Sequence, residues 1–170
     1  MFVRRMSTND ADAVAQLHTD AWKDAYQGII DQDFLDALNV FERANNWKKQ
    51  LSMAYPPSVA LVAEKNGKVI AFASGLENRE PNLLPACDCE LWAIYTSPAK
   101  KGIGAGRLLL NEFKKEMRLL GKTRLCLWEL KENAPAQQFY QKCGGVRSEV
   151  EKSVQVGQQS VPHYAYEFEL

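Results

Sequence analysis

The residues best suited to chemistry lie in one glycine-rich segment in the middle of the chain. Gly102, Gly104 and Gly106 alternate after the apolar run Cys89–Thr96 and before a segment of helical periodicity. The first amides of a helix have no intrahelical partner and lie at the positive end of its dipole, and glycine lets the backbone approach a ligand closely. Basic side chains surround the segment: Lys100, Lys101 and Arg107. This order of strand, loop and helix predicts an anion site suited to a phosphate or diphosphate.

Two known nucleotide-binding motifs are alternatives for a phosphate site in this chain. A P-loop is excluded, because Glu116 stands where the motif that would end in Gly121-Lys122-Thr123 needs its first glycine. A dinucleotide-binding fingerprint is closer, with Arg107 in place of its third glycine and Glu129 in the place of the ribose-binding carboxylate. Only about 40 residues follow Glu129, which is few for a dinucleotide fold. A nucleotide-binding redox domain therefore stays open as an alternative.

Composition limits the class of protein. The chain has 170 residues, with 21 Lys and Arg against 21 Asp and Glu. We expect a single domain over residues 1–170 and no nucleic-acid partner, since a basic excess is what gives grip on phosphate backbones. The apolar runs are short and no apolar segment follows the N-terminal Met, so we expect no membrane partner, no signal peptide and a cytoplasmic location.

Four cysteines fit a reducing compartment. Cys87-Asp88-Cys89 is the one spacing that suggests a metal site, but structural zinc prefers paired Cys-x₂₋₄-Cys or His-containing motifs, and no second pair follows. We therefore expect reduced, partly buried thiols and no metal.

The hydrophobic periodicity predicts an α/β (α+β) domain with a mixed, mostly antiparallel sheet flanked by helices. The predicted order is β-α-α-β-β-β-α-β-α-β-β. Asn66-Gly67 predicts a tight hairpin turn, and Pro56-Pro57 are expected to close the second helical region, which covers residues 34–51. The predicted strands cover residues 2–5, 59–64, 69–73, 89–96, 123–128, 146–156 and 161–169.

Two motifs together carry a family resemblance. The first is Gly102-Ile103-Gly104-Ala105 followed by Leu108-Leu109-Leu110, with Glu90-Leu91-Trp92-Ala93-Ile94-Tyr95 and Pro98 upstream. The second is Glu132-Asn133-Ala134-Pro135-Ala136-Gln137-Gln138-Phe139-Tyr140-Gln141-Lys142-Cys143-Gly144-Gly145. The pair resembles the motifs of the GNAT superfamily of acetyl-CoA-dependent N-acetyltransferases. Trp22-x₃-Tyr26-x-Gly28 in the N-terminal part is also similar, so the resemblance covers nearly the whole chain.

The resemblance implies a GNAT-like acyl-CoA N-acyltransferase fold and acetyl-CoA as co-substrate. Backbone amides would hold the acetyl and pantetheine part, the loop amides the diphosphate, and the Asn133 side chain the pantetheine arm. Two positions depart from the pattern: Ala99 replaces a Gln or Arg, whose charge Lys100 or Lys101 would supply, and Gly145 replaces a Phe, which we expect to loosen local packing. The implied cofactor-binding residues are Ile94, Tyr95, Thr96, Lys101, Gly102, Ile103, Gly104, Ala105, Gly106, Asn133 and Tyr140.

The resemblance also gives the catalytic candidates. Tyr140 is implied as the general acid, since a phenol stays protonated at neutral pH and suits a thiolate leaving group. Strand alternation predicts Asp88, Glu90, Trp92 and Ile94 on one face of their strand, so Glu90 is the candidate base, with Asp88 in reserve. A solvated charge at the strand start explains Glu90 equally well.

The acceptor is expected to be a small-molecule amine or a peptide. Trp22 and Tyr26 share a helix face and are the candidates for its pocket, although core packing explains them equally well. His18 is expected to be structural, and His163 is a weaker candidate for the acceptor end. A homodimer is compatible with the sequence. A non-catalytic acyl-CoA sensor and an O-acyl or longer-acyl transferase remain alternatives.

Overall fold

Seven strands form a single sheet in the computed structural model, within the described residues 1–53 and 58–170. The strand order is β1-β2-β3-β4-β5-β7-β6, and every neighbouring pair is antiparallel except β4 and β5. The mixed, mostly antiparallel sheet predicted from the sequence is thereby confirmed. The strands are β1 (Phe2–Arg5), β2 (Val59–Lys65), β3 (Lys68–Leu76), β4 (Cys89–Thr96), β5 (Arg124–Leu130), β6 (Val146–Val156) and β7 (Gln159–Glu169).

Five α-helices flank the sheet in the described parts of the chain: α1 (Ala11–Ala25), α2 (Gln32–Asp36), α3 (Val40–Leu51), α4 (Ala105–Leu119) and α5 (Ala134–Lys142). The single helical region predicted over residues 34–51 is wrong, because Asn39 caps a new helix by accepting a hydrogen bond from the Glu42 amide at 3.1 Å. The expected role of Pro56-Pro57 lies outside the described residues. None of the described helices is long and apolar enough to span a membrane.

The two faces of the sheet carry separate cores. Helix α4 packs on one face through Leu109, Phe113 and Met117, all fully buried. Helices α1 and α3 cover the other face, where Val14 packs near Phe72. Burying one such side chain contributes about 1.5–3 kcal/mol, so these two layers fix the sheet between them.

A bulge in β4 changes which residues share a face. Leu91 pairs with Gly75 and Ala93 with Ser74, so Trp92 has no partner on β3. Before the bulge, Leu91 faces the α4 core, whereas beyond it Ile94 faces that core and Tyr95 faces the opposite one. The predicted common face of Glu90, Trp92 and Ile94 is therefore wrong, because the extra residue inverts the alternation.

Local packing at Gly145 is close. A Cβ atom there would lie 2.6 Å from Cζ of Phe168 and 3.0 Å from the Tyr140 carbonyl oxygen. The Phe168 ring, 2 % exposed, occupies the space beside this position. The expected loosening is wrong, since a residue from β7 packs where a larger side chain would otherwise point.

Candidate active site

The parallel strands β4 and β5 separate to form the main cavity. They pair only at Cys89 with Leu125 and at Glu90 with Cys126, so the edge of β4 beyond Glu90 has no strand partner on this side within the described sheet. A cavity of about 730 Å³ opens there. It is bordered by the second half of β4, the glycine-rich loop, the end of β5, α5 and the last turns of α1. Unpaired backbone groups of β4 are thus available to a ligand.

The glycine-rich loop forms one wall of this cavity. Gly102 and Gly104 have φ angles of 81° and 85°, which L-residues with side chains rarely adopt, and α4 begins directly after Gly104. The free amides and the positive dipole end of α4 therefore lie at the cavity wall. A Cβ atom at Gly106 would lie 3.3 Å from the Phe139 ring, so this glycine permits close packing of α4 on α5.

The predicted cofactor-binding residues line the cavity with one exception. The lining residues among them are Ile94, Tyr95, Thr96, Lys101, Gly102, Gly104, Ala105, Gly106, Asn133 and Tyr140. Ile103 is 40 % exposed and is not part of the lining. Lys100 and Lys101 both border the cavity, and the Lys101 ammonium group forms an ion pair with Asp24 of α1. The loop therefore provides both backbone donors and side-chain positive charge.

Glu129, at the end of β5, is the carboxylate that borders this cavity from inside the protein. Its side chain accepts hydrogen bonds from the Leu130 amide at 2.9 Å, from Nδ2 of Asn133 at 3.0 Å and from the Tyr140 hydroxyl at 3.2 Å. Asn133 also caps α5 by accepting a hydrogen bond from the Ala136 amide. The Asn133 side chain therefore caps α5 and, through its other end, orients the Glu129 carboxylate.

Burial is the main influence on the pKa values of Glu129 and Tyr140. Because Glu129 is 5 % exposed and has no cationic partner in the described residues, burial raises its pKa from 4.5 to about 7, although its three hydrogen bonds act in the opposite direction. Burial also raises the pKa of Tyr140 well above 10, and the nearby Glu129 charge adds to this. At neutral pH the phenol is protonated and the carboxyl group titrates, so together they can exchange protons.

Aromatic side chains cover the α1 side of the cavity. The hydroxyls of Tyr26 and Tyr95 are 2.9 Å apart, and both residues line the cavity. Trp22 packs edge-on against Tyr26 with ring centroids 5.1 Å apart, but Trp22 is not itself a lining residue. The ring centroids of His18 and Tyr95 are 4.8 Å apart. Burial lowers the pKa of His18 to about 3, and the nearby Arg43 charge lowers it further. His18 is therefore a neutral packing residue, as expected.

Three other predicted candidates lie away from the cavity lining. Glu90 is fully buried, pairs with the Arg79 guanidinium and accepts a hydrogen bond from the Arg79 amide at 2.8 Å. Asp88 accepts hydrogen bonds from the Thr123 amide at 2.9 Å and the Arg124 amide at 3.1 Å, and so fixes the start of β5. The Nδ1 atom of His163 lies 2.9 Å from the Val161 carbonyl oxygen. The structure does not bring these residues to the cavity, because each is held by a partner outside it.

Sequence comparison decides the family. The Acetyltransferase (GNAT) family profile matches residues 13–145, which span the glycine-rich loop, Glu129 and Tyr140. The chain belongs to the GNAT acetyltransferase family. It is 31 % identical over 139 residues to the uncharacterized N-acetyltransferase YuaI of Bacillus subtilis, covering 82 % of this chain and 76 % of that protein.

Solved GNAT-type structures share the fold. A PaiA N-acetyltransferase from Thermoplasma acidophilum, in complex with coenzyme A, superposes with a TM-score of 0.76 at 19 % identity, covering 99 % of this chain and 98 % of that one. A ribosomal-protein-alanine N-acetyltransferase from Brucella melitensis gives 0.76 at 20 % identity and covers both chains completely. The yncA protein of Salmonella typhimurium, with acetyl-CoA, gives 0.72 at 20 % identity, covering 100 % of this chain and 94 % of that one.

The sequence alone assigned Glu129 only to the alternative dinucleotide motif. One sequence feature could have pointed to the role of Glu129 in the site. It is a single carboxylate at the end of an otherwise apolar strand, four residues before Asn133 and eleven before Tyr140. Because the three residues meet only when α5 folds back against β5, strand alternation could not bring them together.

Proposed function

We propose that this single-domain GNAT protein is an acetyl-CoA-dependent N-acetyltransferase that transfers acetyl directly to a primary amine of a small molecule or peptide, in a ternary complex. The observation that carries the proposal is one cavity bordered both by the amides of the glycine-rich loop and by the Glu129–Tyr140 hydrogen-bonded pair. Relatives of the same fold have been solved with coenzyme A and with acetyl-CoA, which supports this co-substrate.

The cofactor-binding role follows from the geometry of the cavity walls. The amides of residues 101–106 would bind the diphosphate at the start of α4, with Lys100 and Lys101 adding charge. Free backbone groups of β4, at Ile94 to Thr96, would hold the pantetheine and the acetyl carbonyl. The amide side chain of Asn133 is committed to Glu129 and to the helix cap, so we assign it to positioning of the carboxylate.

The chemical step needs a base for the amine and an acid for the departing thiolate. Glu129, with a pKa of about 7, would accept the proton of the attacking amine. Tyr140 would donate its hydroxyl proton to the thiolate and recover a proton from Glu129 across their 3.2 Å hydrogen bond. One proton leaves nitrogen, one arrives at sulfur, and both side chains return to their initial states.

The proposal also gives Glu90 a different role from the one that strand alternation suggested. Its carboxylate is neutralised by Arg79 and lies outside the cavity lining, so Glu90 would hold β4 and the segment containing Arg79 together. Glu129 takes over as the proposed base.

Tyr140→Phe tests the function against the alternative of a non-catalytic acyl-CoA sensor. We expect the variant to bind coenzyme A with unchanged affinity in calorimetry, while acceptor-dependent thiol release falls about 100-fold. Wild-type protein that binds coenzyme A but releases no thiol with any amine would support the sensor. Binding of a nicotinamide dinucleotide in preference to coenzyme A would support the redox domain.

A further inference from the structure

Two tryptophans stand on either side of the gap between β4 and β5. The last paired residues of these parallel strands are Glu90 and Cys126, so Trp92 and Trp128 each come two residues after the point at which the strands separate. Both tryptophans are partly exposed, and both line the cavity. Two large apolar side chains therefore border the cavity where it enters the sheet.

Both tryptophans lie on the face of the sheet opposite α4. Leu91 and Leu127 pack in the α4 core, so strand alternation directs the next residue of each strand, Trp92 and Trp128, to the other face. Trp128 packs there beside Leu84, in the segment before β4. Because the glycine-rich loop at the start of α4 borders the same cavity, the cavity passes between the strands from one face of the sheet to the other.

Each indole ring is covered on one side by a cation that has its own carboxylate. The Arg79 guanidinium lies over the Trp92 ring, 5.1 Å from the centroid, and pairs with the buried glutamate of β4. Nζ of Lys152 lies 4.3 Å from the centroid of the Trp128 ring and pairs with Glu80 at 2.8 Å. Both cations are thus neutralised within the protein, which leaves apolar ring surface as what these two residues offer a ligand.

The two indole N–H groups have different surroundings. Nε1 of Trp92 donates a hydrogen bond to the Glu77 carbonyl oxygen at 3.0 Å, whereas the buried Nε1 of Trp128 has no hydrogen-bond partner among the residues that the structure describes. An unpaired buried donor costs free energy, and phenylalanine at this position would avoid that cost. Packing within the protein therefore does not by itself favour a tryptophan at position 128.

We propose that Trp92 and Trp128 bind an aromatic ring of the acceptor, so that the acceptor is an arylalkylamine, a primary amine joined to an uncharged aromatic ring by a short carbon chain. This inference rests on the proposed function. The ring would lie against the two indoles on the face opposite α4, and the amine would point into the gap, toward the acetyl group on β4. Trp128 and Glu129 are consecutive, with Cα atoms about 3.8 Å apart, so a few carbons lead from the ring to the gap that the proposed base borders. The indoles would determine specificity and take no part in proton transfer.

The test compares amines that differ in their ring. Thiol release from acetyl-CoA is followed with phenethylamine, cyclohexylethylamine, propylamine, spermidine and alanylalanine. We expect phenethylamine to exceed propylamine about 100-fold in kcat/KM, mainly through KM, because the ring buries apolar surface that propylamine lacks. It should exceed cyclohexylethylamine about 2- to 12-fold, because paired aromatic rings gain more than their buried area gives.

Variants assign this preference to the tryptophans. Trp128→Leu should lower the ratio of kcat/KM for phenethylamine to that for propylamine about 10-fold, and Trp128→Phe should keep most of it, since an aromatic ring remains and no hydrogen bond of the protein is lost. Trp47→Leu is the matched control, because Trp47 packs edge-on against Phe72, with ring centroids 5.7 Å apart, outside the cavity lining. It should lower the melting temperature and leave the ratio unchanged.

The outcomes separate this inference from the function on which it rests. Equal kcat/KM for phenethylamine and propylamine, or transfer to spermidine or alanylalanine with none to phenethylamine, would overturn the aromatic site. An unchanged ratio in folded Trp128→Leu would do the same, and Trp92→Leu supplies the same measurement at the other ring if Trp128→Leu does not fold. Failure to bind coenzyme A, or thiol release with no amine at all, would instead overturn the proposed function.

Discussion

Glu90 and Glu129 lie on the adjacent strands β4 and β5, and both are buried, yet their surroundings differ. Glu90 is fully buried and is neutralised by Arg79. Glu129 is 5 % exposed, borders the cavity and has only neutral hydrogen-bond donors as partners: the Leu130 amide, Asn133 and Tyr140. Burial therefore moves the Glu129 pKa to about 7, whereas Arg79 compensates the charge of Glu90.

The difference explains why we propose only one of these two buried carboxylates as the catalytic base. A permanent cation compensates the charge of a buried carboxylate and occupies its oxygens, which suits a structural role. Neutral donors orient the group and leave its proton exchangeable near neutral pH, which suits proton transfer.

Glu129→Gln should have the largest effect on activity. Removing the base should lower kcat by about 10²–10⁴-fold, whereas Glu90→Gln should lower it less than about 10-fold. Thiol release at saturating acetyl-CoA and acceptor measures both. A larger loss in Glu90→Gln than in Glu129→Gln, with both variants folded, would reverse the assignment.

The same substitution should stabilise the protein at alkaline pH. The folded pKa of Glu129, about 7, lies above the ordinary value of 4.5 for a glutamate, so the folded state binds more protons between these two pH values and the free energy of unfolding falls as pH rises through that range. The loss amounts to about 3 kcal/mol. Glu129→Gln should recover up to that amount at pH 8 and less toward pH 4.5, as measured by urea unfolding. If Glu129→Gln were less stable than wild type at pH 8, ionisation of the buried Glu129 carboxylate would not destabilise the folded state.

The sequence predicted the parts of this site that depend on local pattern. The bounds of β4, the alternating glycines before α4 and the Asn66-Gly67 turn were all readable, because each is encoded by consecutive residues. The inverted alternation at Trp92 was not, since a bulge depends on the partner strand. The surroundings of Glu129 and Gly145 could not be predicted for a similar reason. Tyr140 contacts Glu129, and Phe168 lies beside Gly145, only as a result of tertiary packing.

Asn133→Ala should change the pH profile more than the maximal rate. The Asn133 amide stabilises the ionised form of Glu129, so its loss should move the acid limb of kcat/KM to higher pH by about half a unit to one unit. Asn39→Ala is the matched control, because it removes the cap of α3. If both variants shifted the acid limb of kcat/KM equally, the change would be due to the loss of a helix cap and not to the hydrogen bond on Glu129.

Asp24→Asn should have the smallest effect. Asp24 is the second carboxylate that lines the cavity, but its side chain is 40 % exposed and it pairs with Lys101. We expect kcat to change less than about threefold, since an exposed ion pair contributes little. Asp12→Asn, which breaks the Lys48 pair elsewhere on α1, is the control. A loss as large as that of Glu129→Gln would contradict the assignment of Glu129, and not Asp24, as the proton acceptor.

The pH dependence of kcat/KM in the two glutamate variants tests the central claim most directly. Wild type and Glu90→Gln should both show an acid limb with an apparent pKa near 7, and Glu129→Gln should lose that limb and retain a low, pH-independent rate. Persistence of the limb in Glu129→Gln, or its disappearance in Glu90→Gln, would contradict the account.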